Sequence, residues 1–150
     1  MPSFVKGGGV TTPFGRNEYM RSTRNTIFES YTLAASTVTA QTIDGNAGQK
    51  ILQPGTALAK ITSGGESGKV GPAQPGVADG RQTATNLVGL NDTFLPWQLM
   101  DRDVEVGVLQ HGKAVQAWCF EYDAAGLLVV LGNTSADAMR SSKLLDINFV

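Results

Sequence analysis

From Thr26 onward, apolar and β-branched residues come in short runs separated by glycine, proline and small polar residues, which is the period of strands and turns rather than of long helices. "IFESYTLAAS" (27–36) and "TVTAQTI" (37–43) read as extended strands, and Asp44-Gly45-Asn46 supplies a turn. "ILQPGTALAKIT" (51–62) reads as a Pro54-Gly55 turn followed by a strand, with "SGGESGKV" (63–70) as the tip of a hairpin. A further strand is expected through Thr83–Leu90. "VEVGVLQ" and "KAVQAWCF" flank His111-Gly112, which predicts an antiparallel hairpin with a tight turn there. Alternation puts Val104, Val106, Val108 and Gln110 on one face and Glu105, Gly107 and Leu109 on the other. "GLLVVLG" (126–132) is a short, fully apolar strand. Thr134 or Ser135 caps an expected helix running to about Lys143, with Asp137 early and Arg140 and Lys143 late, signs that suit the helix dipole. "LLDINFV" closes the chain as a strand. The predicted fold class is mainly β, with one short helix near the C-terminus.

Residues 1–25 break this pattern. Gly7-Gly8-Gly9, Pro13 and Gly15 leave no period of either kind, yet Phe4, Val5, Phe14, Tyr19 and Met20 are more apolar side chains than a solvated linker needs. The expected division is an extended N-terminal arm, 1–25, and a β domain, 26–150. Ordering some 25 residues costs about 25–50 kcal/mol of backbone entropy. Offsetting even the low end by apolar burial takes on the order of 1,000 Å². A body of this size has little apolar surface to spare, so the arm is expected to become ordered against another chain, partly by strand addition. Residues 1–30 carry a net charge of +2 and the remainder −3, and Arg16, Arg21 and Arg24 are placed to meet carboxylates.

Composition narrows the class. A chain of 150 residues with 41% hydrophobic and 17% charged residues holds one core. A net charge of −1 lacks the basic face of a duplex DNA binder. One cysteine permits no intramolecular disulfide and no zinc knuckle. The start has no apolar signal region, and no apolar run approaches the roughly 20 residues of a membrane span. Synthesis and use in a cytoplasm, or exit by a route other than secretion, is the expectation; the sequons at Asn91 and Asn133 then carry no glycan.

Each chemically suggestive group has a plainer explanation. "SGGESGKV" lacks the first glycine and the final hydroxyl of a phosphate-binding loop, since Ser63 and Val70 stand in those places. His111 is the single histidine and Cys119 the single cysteine, with no third group to orient a nucleophile. Asp101, Asp103 and Glu105 share a face at strand spacing, as paired acids of a glycosidase or a divalent-ion site would, but a solvated strand face has the same pattern. Trp97 and Trp118 have the aromatic surface to stack on a sugar or base, and equally to anchor a core. "VADGRQTATNLVGL" (77–90) presents Asp79 and Arg81 either as ligand-binding groups or as the polar corner of a structural elbow. No catalytic, cofactor-binding or metal-binding residue is expected.

The succession of "LQPGTALAKIT", a short tip, "GKVGPAQPGVADGRQTATNLVGL" and "VEVGVLQHGKAVQAWC" resembles the lambda-type head decoration proteins of tailed bacteriophages. Gly55, Thr56, Leu58, Lys60, Gly68, Lys69, Ala78, Asp79, Gly80, Thr83 and Ala84 occupy the family's motif positions over about residues 26–150. The long leader and the insertion "EYDAAGLLVVLGN" (121–133) depart from the family pattern. The resemblance implies a compact β-clip or β-tulip domain and a homotrimer on the outer surface of the expanded head. There it would cement neighbouring major capsid proteins against DNA pressure. It implies no enzyme activity, cofactor, nucleic acid or membrane, and a capsid-binding arm of Phe4, Val5, Phe14, Arg16, Tyr19, Met20, Arg21 and Arg24. The alternatives are another virion β module of a tail or fibre, and a small β-barrel carbohydrate-binding protein or hydrolase around Trp97, Asp101 and Asp103.

Overall fold

The computed structural model describes residues 19–43, 45–95, 102–140 and 145–150. Within them the fold is mainly β, with one short helix near the C-terminus. The strands are β1 (Met20–Leu33), β2 (Gln41–Ile43), β3 (Asn46–Gln49), β4 (Ala57–Lys60), β5 (Val70–Pro72), β6 (Leu87–Asn91), β7 (Val104–Ala114), β8 (Phe120–Tyr122), β9 (Leu128–Val130) and β10 (Asp146–Phe149). The helix α1 spans Asn133–Arg140. β1, β5, β4, β6 and β7 follow one another in a sheet that closes, because β7 also pairs with β1. Closure gives the strand edges internal partners. β10 continues the sheet beyond β6, running parallel to the second half of β7. β2–β3 and β8–β9 are separate two-stranded ribbons.

Alternation along the barrel strands sorts side chains into two apolar layers of one domain, an inner core and an outer core on opposite faces of the same sheet. Leu33, Leu58, Val70, Val88, Val106 and Val108, contributed by all five barrel strands, form the interior with Leu52 and Leu95. The outer face of β4, β6 and β7 carries Ala57, Ala59, Leu87, Leu90 and Leu109, covered by Tyr19, Cys119, Leu131, Met139, Leu145, Ile147 and Phe149. The alanines on β4, with Ala136 of α1, keep this second layer close to the sheet. β4 and β6 are therefore buried on both faces, which is why their sequences are nearly continuous in small and apolar residues.

The expected hairpin at His111-Gly112 is absent. Residues 104–114 form one strand, β7, whose two edges are both occupied through that point: His111 lies opposite Ile27 on one side and Asp146 on the other. A reversal would break both ladders. The boundary expected at residue 25 also moves. β1 begins at Met20, Tyr19 is 1% exposed in the outer core, and its hydroxyl donates to Asp92 Oδ1 at 2.9 Å. Tyr19 and Met20 thus belong to the packed domain rather than to a free arm; their spacing from other apolar residues gave no strand period because β1 is irregular here. Phe4, Val5, Phe14 and Arg16 lie outside the described residues.

Smaller differences follow local hydrogen bonding. Ala84–Asn86 and Ala35–Thr37 are 3-10 turns, so the strands predicted across them start later, at Leu87 and Gln41. α1 starts at Asn133 rather than behind a Thr134 or Ser135 cap, because Ser135 donates its hydroxyl to Glu121 Oε1 at 2.7 Å. Its described part ends at Arg140, and Lys143 lies outside the described residues. "GLLVVLG" forms β9, but Leu127 and Val130 remain 56% exposed rather than entering a core.

Gly89 marks the tightest crossing. Its φ is +134°, and a Cβ there would stand 2.1 Å from the Leu109 carbonyl oxygen and 2.9 Å from Val108 Cγ1. Gly89→Ala is expected to destabilise the fold by about 3 kcal/mol or more, combining strain and overpacking. Urea denaturation of the variant against the parent protein measures this directly.

Candidate functional site

The Asp79–Arg81 corner is a staple. Arg81 is only 7% exposed; its Nε donates to Asp79 Oδ2 at 2.9 Å, and its Nη1 donates to the Pro72 carbonyl at 3.1 Å and to Gln74 Oε1 at 3.4 Å. Glycine is required at position 80, where φ is +108° and a Cβ would lie 2.4 Å from Thr62 Oγ1. Thr62 N–H donates to the Asp79 carbonyl, and Asn86 Nδ2 donates to the Gly80 carbonyl, both at 2.8 Å. The arginine's donors are directed at protein acceptors, so the elbow feeds β6 and locks it to β5.

The acidic residues are similarly engaged. Asp103 accepts from the Ala35 N–H at 2.8 Å and from Lys69 Nζ at 2.5 Å, and Lys69 also donates to Glu66 Oε2 at 2.6 Å. This ties the β4–β5 tip to the start of β7 and to the Ala35 turn. Glu105 accepts a hydrogen bond from the Thr32 hydroxyl across the β1–β7 ladder. Asp101 and Trp97 lie outside the described residues, while Trp118 is 51% exposed on the turn before β8. Lys69, which would have served a phosphate loop, is committed to carboxylates.

Cys119 is fully buried, donates to the Val115 carbonyl at 3.3 Å, and burial pushes its thiol up to about 12. A thiol held in that form is a core filler, not a nucleophile. Among the described residues no three His, Cys, Asp or Glu side chains gather as a metal site, and no helix is long and apolar enough to cross a membrane. Asn91 is buried with Nδ2 donating to the Gln53 and Thr93 carbonyls at 3.2 and 2.6 Å, which leaves its sequon inaccessible in the folded chain.

The site that the fold does assemble joins residues far apart in sequence. A cleft of about 490 Å³ is lined by Arg24, Asn25, Thr26 and Ile27 of β1, His111, Gly112 and Lys113 of β7, and Asp146 and Asn148 of β10. His111 and Lys113 share one face of β7, and their parallel partners Asp146 and Asn148 share the same face of β10; Ile147 and Phe149 point into the core. Of the expected arm residues, Arg24 enters this cleft and Arg21 is exposed nearby on β1. Sequence reasoning missed the grouping because the three segments meet only through β-pairing; the one local signal was the exposed alternation of Asp146 and Asn148.

No family model, curated protein or solved structure matches the chain.

Asp103 is held below the usual carboxylate range, first by the Lys69 hydrogen bond and then by the Ala35 N–H. A depressed carboxylate contributes stability that is present above its unfolded value and is lost as the pH falls through its folded value. Asp103→Asn is therefore expected to lower stability at neutral pH, and the gap to the parent protein should close as the pH drops below about 4. Urea denaturation across that range tests the sign. Separately, Cys119 should react with an aromatic disulfide reagent about a hundredfold slower in native protein than in denaturant, followed by absorbance.

Proposed function

We propose that this chain is a structural virion protein that decorates the outer surface of a phage head. In that reading it binds as a trimer and cements neighbouring major capsid proteins against internal DNA pressure. One observation carries the reading most of the way. The segments that resemble head decoration proteins are consecutive parts of one barrel, and the polar residues at their corners, Lys69, Asp79 and Arg81, are spent on holding it together. Gly55 turns the chain into β4 with φ +89°, where a Cβ would lie 2.9 Å from Tyr19 Cβ. Lys69 pins the hairpin tip, Asp79 and Arg81 pin the elbow, and Gly80 permits it. A domain whose motif residues brace its own frame suits a protein that works by rigid contact.

Its surface fits the same role. Ile27, Phe28, Trp118, Leu127, Val129, Val130 and Val150 are exposed, a generous apolar supply for intermolecular contact. Of the residues behind the hydrolase alternative, Asp103 is bound to Lys69 and a backbone N–H, while Trp97 and Asp101 lie outside the described residues. The proposed capsid-binding arm shortens to residues 1–18, with Arg21 and Arg24 displayed from β1 as its continuation.

Purified protein added to undecorated, DNA-filled heads is expected to co-sediment with them and to appear in electron micrographs as three-fold protrusions. A version lacking residues 1–18 should remain folded and fail to coat heads. Labelling of tails alone, or full-occupancy coating by the truncated form, would overturn the respective part of this reading.

A further inference from the structure

Between Ser22 and Ile27, β1 uses five residue steps while its partner β7 uses two, from Lys113 to His111. The surplus chain arches out of the ladder as a wide bulge. Asn25 sits at its crest with φ +55°, the left-handed region that asparagine tolerates better than most residues. The Ser22 hydroxyl accepts the Arg24 N–H at 3.1 Å and the Thr26 hydroxyl donates to the Thr23 carbonyl at 3.4 Å, so the arch has its own internal bonds. Bulges of this kind re-aim side chains next to binding sites. Here the bulge walls one side of the cleft whose floor is the exposed face of β7 and β10.

The cleft gathers two exposed cations from different strands that, like Arg21 and Lys60, have no carboxylate partner among the described residues. Lys69, Arg81 and Arg140 each hold a carboxylate within 3 Å. Arg24 on the bulge and Lys113 on the β7 floor have no ion-pair partner among the described residues, and both are exposed. Asn25 and Asn148 add amide donors and acceptors, Asp146 adds a single acceptor, and the half-exposed Ile27 adds an apolar rim. We infer that this cleft binds an extended acidic peptide segment of a partner protein. Two separated cations take two carboxylate side chains, Asp146 accepts a peptide N–H, the asparagines satisfy peptide carbonyls, and Ile27 meets an aliphatic neighbour. A compact phosphate group fits less well, because it concentrates its charge at one point in the space that Asp146 also faces, whereas an extended chain can place its carboxylates apart from Asp146. The volume lies in the range of ordinary ligand clefts, roughly 300–1,000 Å³.

This inference stands independently of the capsid reading, and its test uses no heads. Isotope-labelled full-length protein is titrated at low ionic strength with a blocked peptide alternating glutamate and leucine. Parallel titrations use the same peptide with lysine for glutamate, and inorganic phosphate. The glutamate peptide should shift the amide resonances of residues 24–27, 111–113 and 146–148, and added salt should weaken it. The Arg24→Ala/Lys113→Ala double variant should lose about tenfold or more in affinity, as expected for two charge-assisted contacts. Arg24→Gln/Lys113→Gln, which keeps the side-chain stems, should show the same loss with an unchanged fold. Unshifted resonances, undiminished affinity in both double variants, or equal binding of the lysine peptide would overturn the inference. So would phosphate occupying the cleft while the glutamate peptide does not. Peptide binding in a protein that fails to coat heads would remove the capsid reading and leave the cleft assignment standing.

Discussion

β7 is the member on which the remaining strands are hung. Along one edge its eleven residues pair with β1 almost from end to end, and along the other they pair first with β6 and then with β10. Because both edges are used, a single straight strand fixes where the barrel closes and where the terminal strand docks. The cost is close approach. Gly89 of β6 lies so near the Leu109 carbonyl that no side chain is possible there. Val106 and Val108 point inward while Leu109 and Ala114 point into the outer core, so one strand also connects the two apolar layers.

Around this frame, polar residues act as fasteners at the corners. Asp103 and Lys69 hold the β4–β5 tip against the start of β7, Arg81 and Asp79 hold the elbow against β5, and Asn91 holds the loop at Gln53. Each lies where the chain changes direction and backbone groups would otherwise be buried without partners. Glu121 does the same for the C-terminal layer, accepting from the Gly132 N–H at 2.7 Å and from Ser135.

The irregularity of β1 gives that frame a distinct surface. A regular β1 would lie flat on β7 and present an even ladder; the bulge at Thr23–Thr26 instead raises Arg24 and Asn25 above the His111–Lys113 and Asp146–Asn148 pairs. The same departure explains why no strand period is visible before residue 27. Structure and recognition therefore meet in one feature, since the surplus residues that disrupt the ladder also build the cleft wall.

Strand-period runs, glycine at tight corners and the Asp79-Gly80 elbow were legible in the chain itself, because they depend on local sterics and on the alternation of side chains along β-strands. That alternation also separated Val106 and Val108 from Leu109, as the two cores require. Other features depended on partners distant in sequence. His111-Gly112 has the composition of a turn, yet β1 and β10 hold it extended from both sides. Tyr19 reads as part of a leader, yet Asp92 and the outer core draw it in. The apolar run at 126–132 reads as one uniform strand, yet it forms a peripheral ribbon with Val130 outward and only Leu131 reaching the outer core. Local sequence sets which backbone conformations are available, whereas edge occupancy and burial are properties of the assembled sheet. Only the tertiary structure could bring Arg24, Lys113 and Asn148 to one cleft.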